Sequence, residues 1–386
     1  MLGVSQSSFI PINRSFFDSS TMPHNDNGPV TLPVGKMVGT RWKITEKLGE
    51  GGCGSVYLVM NVHQHTFAAM KVESNSVAGG PVLKQEVAVL KKMRGRKWVA
   101  RLITAGKKEN YSYMVMTLFG PSLNKLFKKC KREFSVSTQV RLGMQMLFCI
   151  KQLHEIGYVH RDVKPANLAI GLKKPESRMV HLLDFGLVRE YVTRTNGQLE
   201  IRRPRANILF RGTLKYCSLN THLRSEQGRP DDLWSLVYVL AELRGGLPWA
   251  NATDKKEVGR IKAETSDESL LHRCPPEFIK ITNHLRTLDY YKRPDYKFIY
   301  DVFYQTMCKY NINFNDAFDW ELRQAAQSSG RFRRGLSRIL SITEDQSVAG
   351  KPSEVPLSDL KTAEEGHAAD QPPFTVEDFA KNEIGF

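Results

Sequence analysis

The chain has 386 residues, of which 41% are hydrophobic, 10% are aromatic and 25% are charged. This composition indicates a mostly globular protein and excludes a collagen, a coiled coil, a membrane bundle and a largely disordered chain. The formal net charge is +16, from 56 Lys and Arg residues against 40 Asp and Glu residues, which favours anionic partners: nucleic acid, phosphate groups, acidic protein or a membrane surface.

The first third of the chain predicts a small β-sheet with one helix. Residues 1–40 mix Ser, Asn, Pro and Gly with little periodicity, and we expect a flexible leader there. Apolar runs rich in β-branched and aromatic residues predict strands, while Val87 and Leu90 lie at helical spacing. The predicted strands are 42–48, 55–62, 66–72 and 113–118, and the predicted helix is 83–93.

The middle of the chain predicts mainly helices. Gln139–Glu155 has an apolar face, and Leu233–Leu243 is apolar on nearly all sides, which predicts a buried helix. Pro275 and Pro276 are typical of a helix start. Short strand and loop pieces are predicted at 159–171 and 180–185.

Two segments of opposite charge follow residue 325. Residues 326–343 are basic, and we expect a mobile linker. Residues 344–386 hold ten acidic residues and three lysines, a net charge of −7, so the remaining chain carries +23. This composition predicts a disordered acidic tail that is able to fold back on the basic body.

A glycine-rich segment lies between two of the predicted strands. Gly49–Val56 reads GEGGCGSV, which is G-x-G-x-x-G-x-V. Glycines let backbone N–H groups approach phosphate oxygens, because no Cβ is in the way. A Rossmann fold is disfavoured, since a strand rather than a helix follows the loop. On this motif alone, a plain glycine-rich hairpin is the alternative.

Lys71 ends an apolar strand that follows the glycine-rich loop, at a position from which it could bind nucleotide phosphates. A buried lysine needs a carboxylate to stay charged. Glu86 on the next predicted helix is the expected partner. Taken alone, Lys71 is better explained as a surface lysine at the end of a strand.

Two further motifs carry groups that suit phosphoryl transfer. The segment His160–Asn167 reads HRDVKPAN, which is H-R-D-x-K-x-x-N. Asp162 can accept a hydroxyl proton or orient the hydroxyl, Lys164 can neutralise charge on the phosphoryl group, and Asn167 can hold a metal ion. Asp184, the first residue of an Asp-Phe-Gly triplet, is a second metal-ligand candidate because Mg²⁺ prefers hard oxygen ligands.

The four motifs together, in this order and spacing, resemble the eukaryotic protein kinases over residues 41–320. The chain lacks the Ala-Pro-Glu triplet that most of these kinases carry after the activation segment. Instead, Gly212–Asn220 (GTLKYCSLN) and Met116–Leu123 (MTLFGPSL) resemble the casein kinase I group. Within that group, segments 229–236, 247–249 and 318–321 look most like tau-tubulin kinases, of which divergent members are numerous in nematodes.

The resemblance implies a bilobal α+β fold and an ATP-dependent serine/threonine protein kinase. A small β-rich N-lobe with one main helix is expected at 41–118, and a larger, mainly helical C-lobe at 119–325. ATP and Mg²⁺ would be the cofactors, and the γ-phosphoryl group would pass to a Ser or Thr hydroxyl of a protein substrate. Lys164 supports this independently, because tyrosine kinases usually carry a different pattern in the catalytic loop.

The resemblance also implies roles for individual residues. The expected catalytic residues are Asp162, Lys164, Lys71, Glu86 and Thr213. Thr213 would hydrogen-bond Asp162 and Lys164, and Asn167 and Asp184 would bind the metal. The expected nucleotide-binding residues, with adenine held by the backbone of Thr117 and Phe119, are Leu48, Gly49, Glu50, Gly51, Gly52, Cys53, Gly54, Val56, Ala69, Lys71, Met116, Thr117 and Phe119.

A group of basic residues surrounds the expected substrate-facing loop, and arginine forks suit phosphate. The resemblance implies protein substrates with acidic or phosphorylated segments, with a solvated basic face as the alternative. We also expect the acidic tail to weaken activity by occupying this groove. The basic residues concerned are Arg202, Arg203, Arg205, Arg211, Lys215 and Arg224.

Two other classes of function stay open. A pseudokinase or scaffold would bind partners through the same fold, although no expected catalytic position is lost. A nucleic-acid-binding protein would fit the net charge, but no such binding motif is recognised, and no specific nucleic acid is predicted. Six sparse cysteines and no secretory signal predict a cytoplasmic protein, with nuclear entry as an addition, and we expect a monomer without a transmembrane segment.

Overall fold

The computed structural model describes residues 30–51, 54–76, 82–326 and 373–386. The N-lobe is a curled antiparallel sheet of six strands in the order β1-β2-β3-β4-β6-β5, with helix α1 against it. Its elements are β1 Met37–Val38, β2 Trp42–Gly51, β3 Gly54–Asn61, β4 Thr66–Ser74, α1 Leu83–Lys92, β5 Leu102–Lys107 and β6 Tyr111–Met116.

Strand β4 lies in the middle of this sheet and differs from β3 in its burial. In β3, side chains alternate between buried and half-buried positions, which is the period of two of a strand with one covered face. In β4, Ala68–Glu73 is buried throughout, and β3 and β6 flank this strand on its two sides. This burial places Lys71, opposite Val56 of β3 and Met114 of β6, in a closed environment.

The segment before Arg41 differs from the expected flexible leader. Leu32 is buried, and its backbone N–H donates to the hydroxyl of Tyr57 at 2.9 Å. Strand β1 pairs with β2, and Val38 is buried against it. Residues 30–40 are therefore part of the N-lobe, because their apolar side chains cover the sheet; residues 1–29 lie outside the described residues.

The C-lobe is mainly helical and carries three short two-stranded sheets, in which β7 pairs with β10, β8 with β9, and β11 with β12. The strands are β7 Tyr158–Val159, β8 Leu168–Ile170, β9 Val180–Leu182, β10 Arg189–Glu190, β11 Val192–Thr195 and β12 Gln198–Ile201. The helices are α2 Leu123–Lys129, α3 Val136–His154, α4 Leu219–His222, α5 Arg229–Gly245, α6 Lys255–Glu264, α7 Asp267–Leu270, α8 Ile279–Arg286, α9 Tyr296–Lys309 and, at residues 319–326, α10.

Helices α3 and α5 form the core of the C-lobe. Residues 138–154 of α3 are all buried, and α5 is buried along most of its length, as its apolar sequence predicts. Gly143 lets α3 approach the ring of Phe303, since a Cβ there would lie 2.8 Å from it. The predicted bilobal α+β fold, with a β-rich N-lobe and a helical C-lobe, is confirmed. No helix in the described ranges is long and apolar enough to cross a membrane.

Residues 373–386, which we call the C-terminal segment, are folded against the C-lobe. Helix α11, Val376–Ala380, begins with a capping box formed by Thr375 and Asp378. Phe374 and Phe379 are 2% and 0% exposed. The expected disordered tail is therefore wrong for this segment, because two aromatic side chains bury in the C-lobe core; residues 327–372 lie outside the described residues.

Candidate active site

Three charged side chains meet between the lobes. The Nζ atom of Lys71 lies 2.7 Å from a Glu86 oxygen and 2.9 Å from a carboxylate oxygen of Asp184. Burial alone would lower the pKa of Lys71, but the carboxylates of Glu86 and Asp184 outweigh burial and hold it above its usual range. Lys71 is therefore a fixed cation in a buried site, and the surface-lysine alternative is wrong.

Helix α1 is placed by a residue that the sequence patterns did not single out. Glu73, at the end of β4, is fully buried and accepts hydrogen bonds from the N–H groups of Val82 and Leu83 at 3.1 and 2.8 Å. These N–H groups begin α1 and have no partner within the helix. Glu73 therefore caps α1 from the sheet and sets the position of Glu86. Glu86 in turn accepts from the backbone N–H of Phe185 at 3.2 Å.

The catalytic loop and the substrate-facing loop are joined at one carboxylate. Asp162 accepts from the hydroxyl and N–H of Thr213 at 2.6 and 2.9 Å through one oxygen. Its other oxygen accepts from Lys164 at 2.6 Å, and Lys164 also donates to the Thr213 hydroxyl at 2.9 Å. The structure therefore brings together Asp162, Lys164 and Thr213 in the contacts that the resemblance implies.

Asp232, near the start of α5, fixes the backbone of the catalytic loop. Its carboxylate accepts from the N–H groups of His160 and Arg161 at 2.6 and 2.8 Å, and it lies 2.8 Å from Nε2 of His154. Burial would raise the pKa of Asp232, but the bonds from His154 and the backbone hold it below its usual range. The sequence shows two acids, Asp231 and Asp232, in the first turn of an otherwise apolar helix, but it does not tell their roles apart.

Two loops cross so closely that one of them requires glycine. Gly212 has a φ of 109°, and a Cβ there would lie 2.5 Å from the carbonyl oxygen of Arg161. Arg161 itself has a φ of 66° in the left-handed region, which costs free energy for a non-glycine residue. The adjoining Thr213 reaches Asp162 only because the two backbones approach in this way.

The glycine-rich hairpin joins β2 to β3 and lies over the cleft between the lobes. Gly51 pairs with Gly54, and a Cβ on Gly54 would lie 2.1 Å from the carbonyl oxygen of Val72. Glu50 pairs with Lys47 and accepts from Ser55 at 3.5 Å. Gly52 and Cys53 lie outside the described residues, so their predicted contact with nucleotide phosphates stays a prediction.

The connection between the lobes leaves backbone groups for a planar ligand. The N–H of Thr117 donates to Arg101 at 3.0 Å. Within the described ranges, no residue uses the carbonyl of Thr117 or the backbone N–H and carbonyl of Phe119. Ala69 and Met116 pair across β4 and β6 beside them. These groups fit the adenine contacts that the resemblance implies.

Asn167 and Asp184 offer hard oxygen atoms at the same site. The amide nitrogen of Asn167 donates to the carbonyl and carboxylate of Asp162 at 3.0 and 3.2 Å, which leaves its amide oxygen as the atom to face a cation. Burial would raise the pKa of Asp184, but Lys71 holds it below its usual range, so it is ionised. Two such oxygens fit Mg²⁺, which takes few protein ligands beside substrate phosphates. Among the described residues, no cluster of three His, Cys, Asp or Glu side chains could hold a metal ion.

A basic pocket of about 430 Å³ opens beside the catalytic loop. We use this name for the site lined by Arg161, Arg189, Arg202, Arg205 and Arg211. Arg205 forms a two-bond pair with Glu226, and Arg202 pairs with Glu190 at 3.3 Å. Five arginines against two carboxylates leave a local charge of +3. Arg161 and Arg189 were not predicted members, because they come from the catalytic loop and from β10.

The other predicted basic residues lie elsewhere. The ammonium group of Lys215 pairs with Glu242 of α5, so it is not available to a substrate. Arg203 and Arg224 are exposed and do not line the basic pocket. Burial lowers the pKa of Arg161 to about 10, and the nearby Arg211 contributes to that shift. The crowding of guanidinium groups here is relieved when an anion binds.

The chain is similar to known proteins over most of its length. Residues 42–304 match the protein kinase domain family. A Caenorhabditis elegans protein named as a serine/threonine-protein kinase is 41% identical over 363 residues, which are 94% of this chain and 99% of that relative. A Dictyostelium discoideum protein also named as a serine/threonine-protein kinase is 37% identical over 302 residues, 78% of this chain and 60% of that relative. Every active-site residue described above lies inside the matched region.

Proposed function

The chain belongs to the protein kinase family and is a serine/threonine protein kinase, and we propose that it acts on proteins with acidic or already phosphorylated segments. Protein kinases in general use ATP and Mg²⁺. The observation that carries the catalytic assignment is the convergence of Lys71, Glu86 and Asp184 on one side of the cleft with Asp162 and its partners on the other.

We assign the chemistry of transfer to positioning and charge. Lys71, held by Glu86, binds phosphate oxygens of ATP, and Asp162 orients the acceptor hydroxyl and accepts its proton. Lys164 compensates the charge that develops on the phosphoryl oxygens. When bound, Mg²⁺ neutralises phosphate charge, and the amide oxygen of Asn167 and the carboxylate of Asp184 would hold it.

The choice of Ser and Thr over Tyr is assigned to Thr213. Its hydroxyl and N–H both lie on the carboxylate that receives the acceptor, at 2.6 and 2.9 Å. The substrate-facing loop is therefore drawn in against Asp162, which leaves room there for a short hydroxyl side chain.

The basic pocket is the proposed site for an acidic or phosphorylated residue of the substrate. Arginine binds phosphate through two parallel N–H···O bonds. The pocket lies next to the catalytic loop, because Arg161 precedes Asp162 directly. Glu190 and Glu226 neutralise two of its five arginines, which leaves the local charge of +3. A phosphate on the substrate near the acceptor residue would complete the charge balance.

We further propose membership of the casein kinase I group, nearest to the tau-tubulin kinases. The support is the segment Gly212–Asn220, which stands where most protein kinases carry Ala-Pro-Glu. In the structure its Ser218 and Asn220 both donate to Asp231, at 2.5 and 3.1 Å. We also propose that the protein is a monomer and that it is located in the cytoplasm, with entry into the nucleus.

Phosphate transfer from γ-labelled ATP to casein, compared between the wild type and Asp184→Ala, tests the activity. The proposal expects label on Ser and Thr of casein with the wild type and loss of label with the variant. Equal absence of label from both proteins, while a partner protein still binds, would favour the scaffold alternative.

A peptide library tests the preference for phosphorylated substrates. Peptide pairs that differ only by Ser or phosphoserine near the acceptor should favour the phosphorylated form. Arg211→Gln should reduce this preference by about tenfold, since a hydrogen bond to a charged group contributes about 1.5–3 kcal/mol. Arg203→Gln, outside the basic pocket, is the matched control. A preference that survives Arg211→Gln unchanged would remove the basic pocket from the proposal.

A further inference from the structure

Lys262 is a buried cation on α6 that contacts the backbone of the substrate-facing loop. The residue is 7% exposed. Its Nζ atom donates to the carbonyl oxygens of Leu214 and Cys217 at 2.9 and 2.6 Å, and lies 3.7 Å from the thiol of Cys217. These acceptors lie one and four residues after Thr213, which contacts the catalytic Asp162.

Among the described residues, Lys262 has aromatic neighbours and no carboxylate partner. The Nζ atom lies 5.2 Å from the ring centre of Tyr238 and 5.1 Å from that of Trp249, and no described acidic residue forms an ion pair with it. Burial lowers the pKa of Lys262 to about 8. A buried charge without a carboxylate costs stability, and the bonds to two loop carbonyls and the aromatic faces offset that cost.

Two further side chains, Trp249 and Glu242, bind the same loop. Trp249 donates its indole N–H to the carbonyl oxygen of Lys215 at 2.8 Å. Glu242 accepts from the side chains of Lys215 and Tyr216. The backbone carbonyls of Leu214, Lys215 and Cys217 are thus all bound by side chains of α6 or of the connection before it.

We propose that Lys262 is a positioning residue for the protein substrate. It fixes the backbone from Leu214 to Cys217, on which the substrate residues beside the acceptor hydroxyl rest. Lys262 touches neither nucleotide nor reacting atoms, so its effect falls on protein binding and not on ATP. The inference rests on the kinase activity and adds a role for α6 in it.

Lys262→Met removes the donors and keeps a side chain of similar length. We expect the KM for casein to rise about tenfold, because a hydrogen bond from a charged donor contributes about 1.5–3 kcal/mol to holding the loop in place. The KM for ATP should not change, and kcat should fall far less than KM rises. The thermal midpoint should change little, because removal of a buried charge offsets the loss of the two hydrogen bonds. Lys256→Met, exposed on the same helix, is the matched control.

Two other variants separate this role from a structural one. Lys262→Arg keeps charge and donors, and a cavity of about 440 Å³ lined by Lys262, Trp234 and Tyr238 has room for the guanidinium, so it should restore most of the casein affinity. Trp249→Phe removes the N–H that binds Lys215 and makes the ring beside Lys262 smaller. Because it keeps Lys262 and its two bonds to the loop carbonyls, it should raise the casein KM by less.

The possible results are distinct. A casein KM unchanged by Lys262→Met would overturn the inference, and so would parallel changes in casein KM, ATP KM and thermal midpoint, which indicate a general loss of structure. A folded wild type that transfers no phosphate to casein would instead overturn the proposed function.

Discussion

The active-site cleft and the C-terminal segment are built from different interactions. The cleft is held by charges: Lys71 between Glu86 and Asp184, and Asp162 between Lys164 and Thr213. The C-terminal segment is held by rings. Phe379 stacks on Tyr300 with 4.5 Å between ring centres, and Phe374 stacks on Phe148 at 5.4 Å.

The two regions therefore serve different ends. Buried charges contribute little net stability, because desolvation offsets much of their attraction, but they place the groups that act on a phosphoryl transfer. Buried aromatic rings contribute several kcal/mol each and take no part in chemistry. We expect changes in the cleft to remove activity from a folded protein and changes in the C-terminal segment to unfold an active one.

The C-terminal segment also reaches both lobes. Arg96, just after α1, forms a two-bond ion pair with Glu383, and Arg293 donates to the carbonyl oxygen of Lys381 at 2.9 Å. Ile384 and Phe386 pack on Val192 of the β11–β12 hairpin and its neighbours. The segment thus lies across the C-lobe and forms two ion pairs with the N-lobe, Arg96 with Glu383 and Lys97 with Asp378 at 3.7 Å. Occupation of the substrate groove by the acidic tail stays a prediction, because residues 344–372 lie outside the described residues.

The largest expected effect is that of Asp162→Asn. Loss of the group that accepts the hydroxyl proton should lower kcat by about 10²–10⁴-fold, while the amide still accepts from Thr213. Transfer of label from ATP to casein measures kcat, and the thermal midpoint shows whether the contact with Thr213 and the fold are kept. A variant that keeps more than half of the wild-type kcat would break the assigned role of Asp162.

The next effect is that of Phe379→Ala in the C-terminal segment. Removing a fully buried phenylalanine should cost about 3–5 kcal/mol of unfolding free energy, measured by denaturant titration. Val376→Ala, on the exposed side of the same helix, should change it by less than about 0.5 kcal/mol. Equal effects of the two substitutions would show that α11 is not docked as described.

The dependence of stability on acid pH should also distinguish the two regions. The pKa of Asp232 is lowered in the folded protein from its ordinary 3.8, because bonds from His154 and the backbone outweigh burial. Its contribution to stability is therefore complete above pH 3.8 and is lost as pH falls through the lower folded value. The stability difference between wild type and Asp232→Asn should shrink in that range, whereas the difference for Phe379→Ala should stay constant. A constant difference for both would contradict the ionised state of Asp232.

The smallest expected effect is that of the ion pair between Arg96 and Glu383. Both side chains are partly exposed, and such pairs contribute about 0.2–1 kcal/mol. A double-mutant cycle with Arg96→Ala and Glu383→Ala should give a coupling in this range that decreases with added salt. A coupling that is zero at low salt would show that the two side chains do not meet in solution.

Much of the cleft could be predicted from the sequence, because its groups lie in short motifs with fixed spacing. The motifs at His160–Asn167 and at Asp184 identify their own residues, whereas the strand before Lys71, taken alone, favours a surface lysine. The supporting residues Glu73 and Asp232 could not be predicted in the same way. Glu73 caps a helix whose first N–H groups lie nine and ten residues later, and Asp232 binds backbone groups of a loop that are 71 and 72 residues away in the chain. An acid in a strand or in the first turn of a helix does not by itself show which backbone groups it binds.

The C-terminal segment could not be predicted, because its partners lie far away along the chain. Phe374 and Phe379 are separated by polar residues in an acidic stretch, which by composition indicates a solvated tail. Their partners Phe148, Tyr300 and Phe314 come together only when α3 and α9 pack in the C-lobe. The same limit applies to the basic pocket, where Arg161 joins arginines of later loops.

The most direct test of the contrast is casein phosphorylation by the wild type, Asp162→Asn and Phe379→Ala, each divided by the fraction of folded protein in the same sample. The account predicts that Asp162→Asn is fully folded and nearly inactive, while the folded part of Phe379→Ala retains wild-type activity. A folded Asp162→Asn protein with wild-type activity, or a Phe379→Ala protein of wild-type stability, would contradict it.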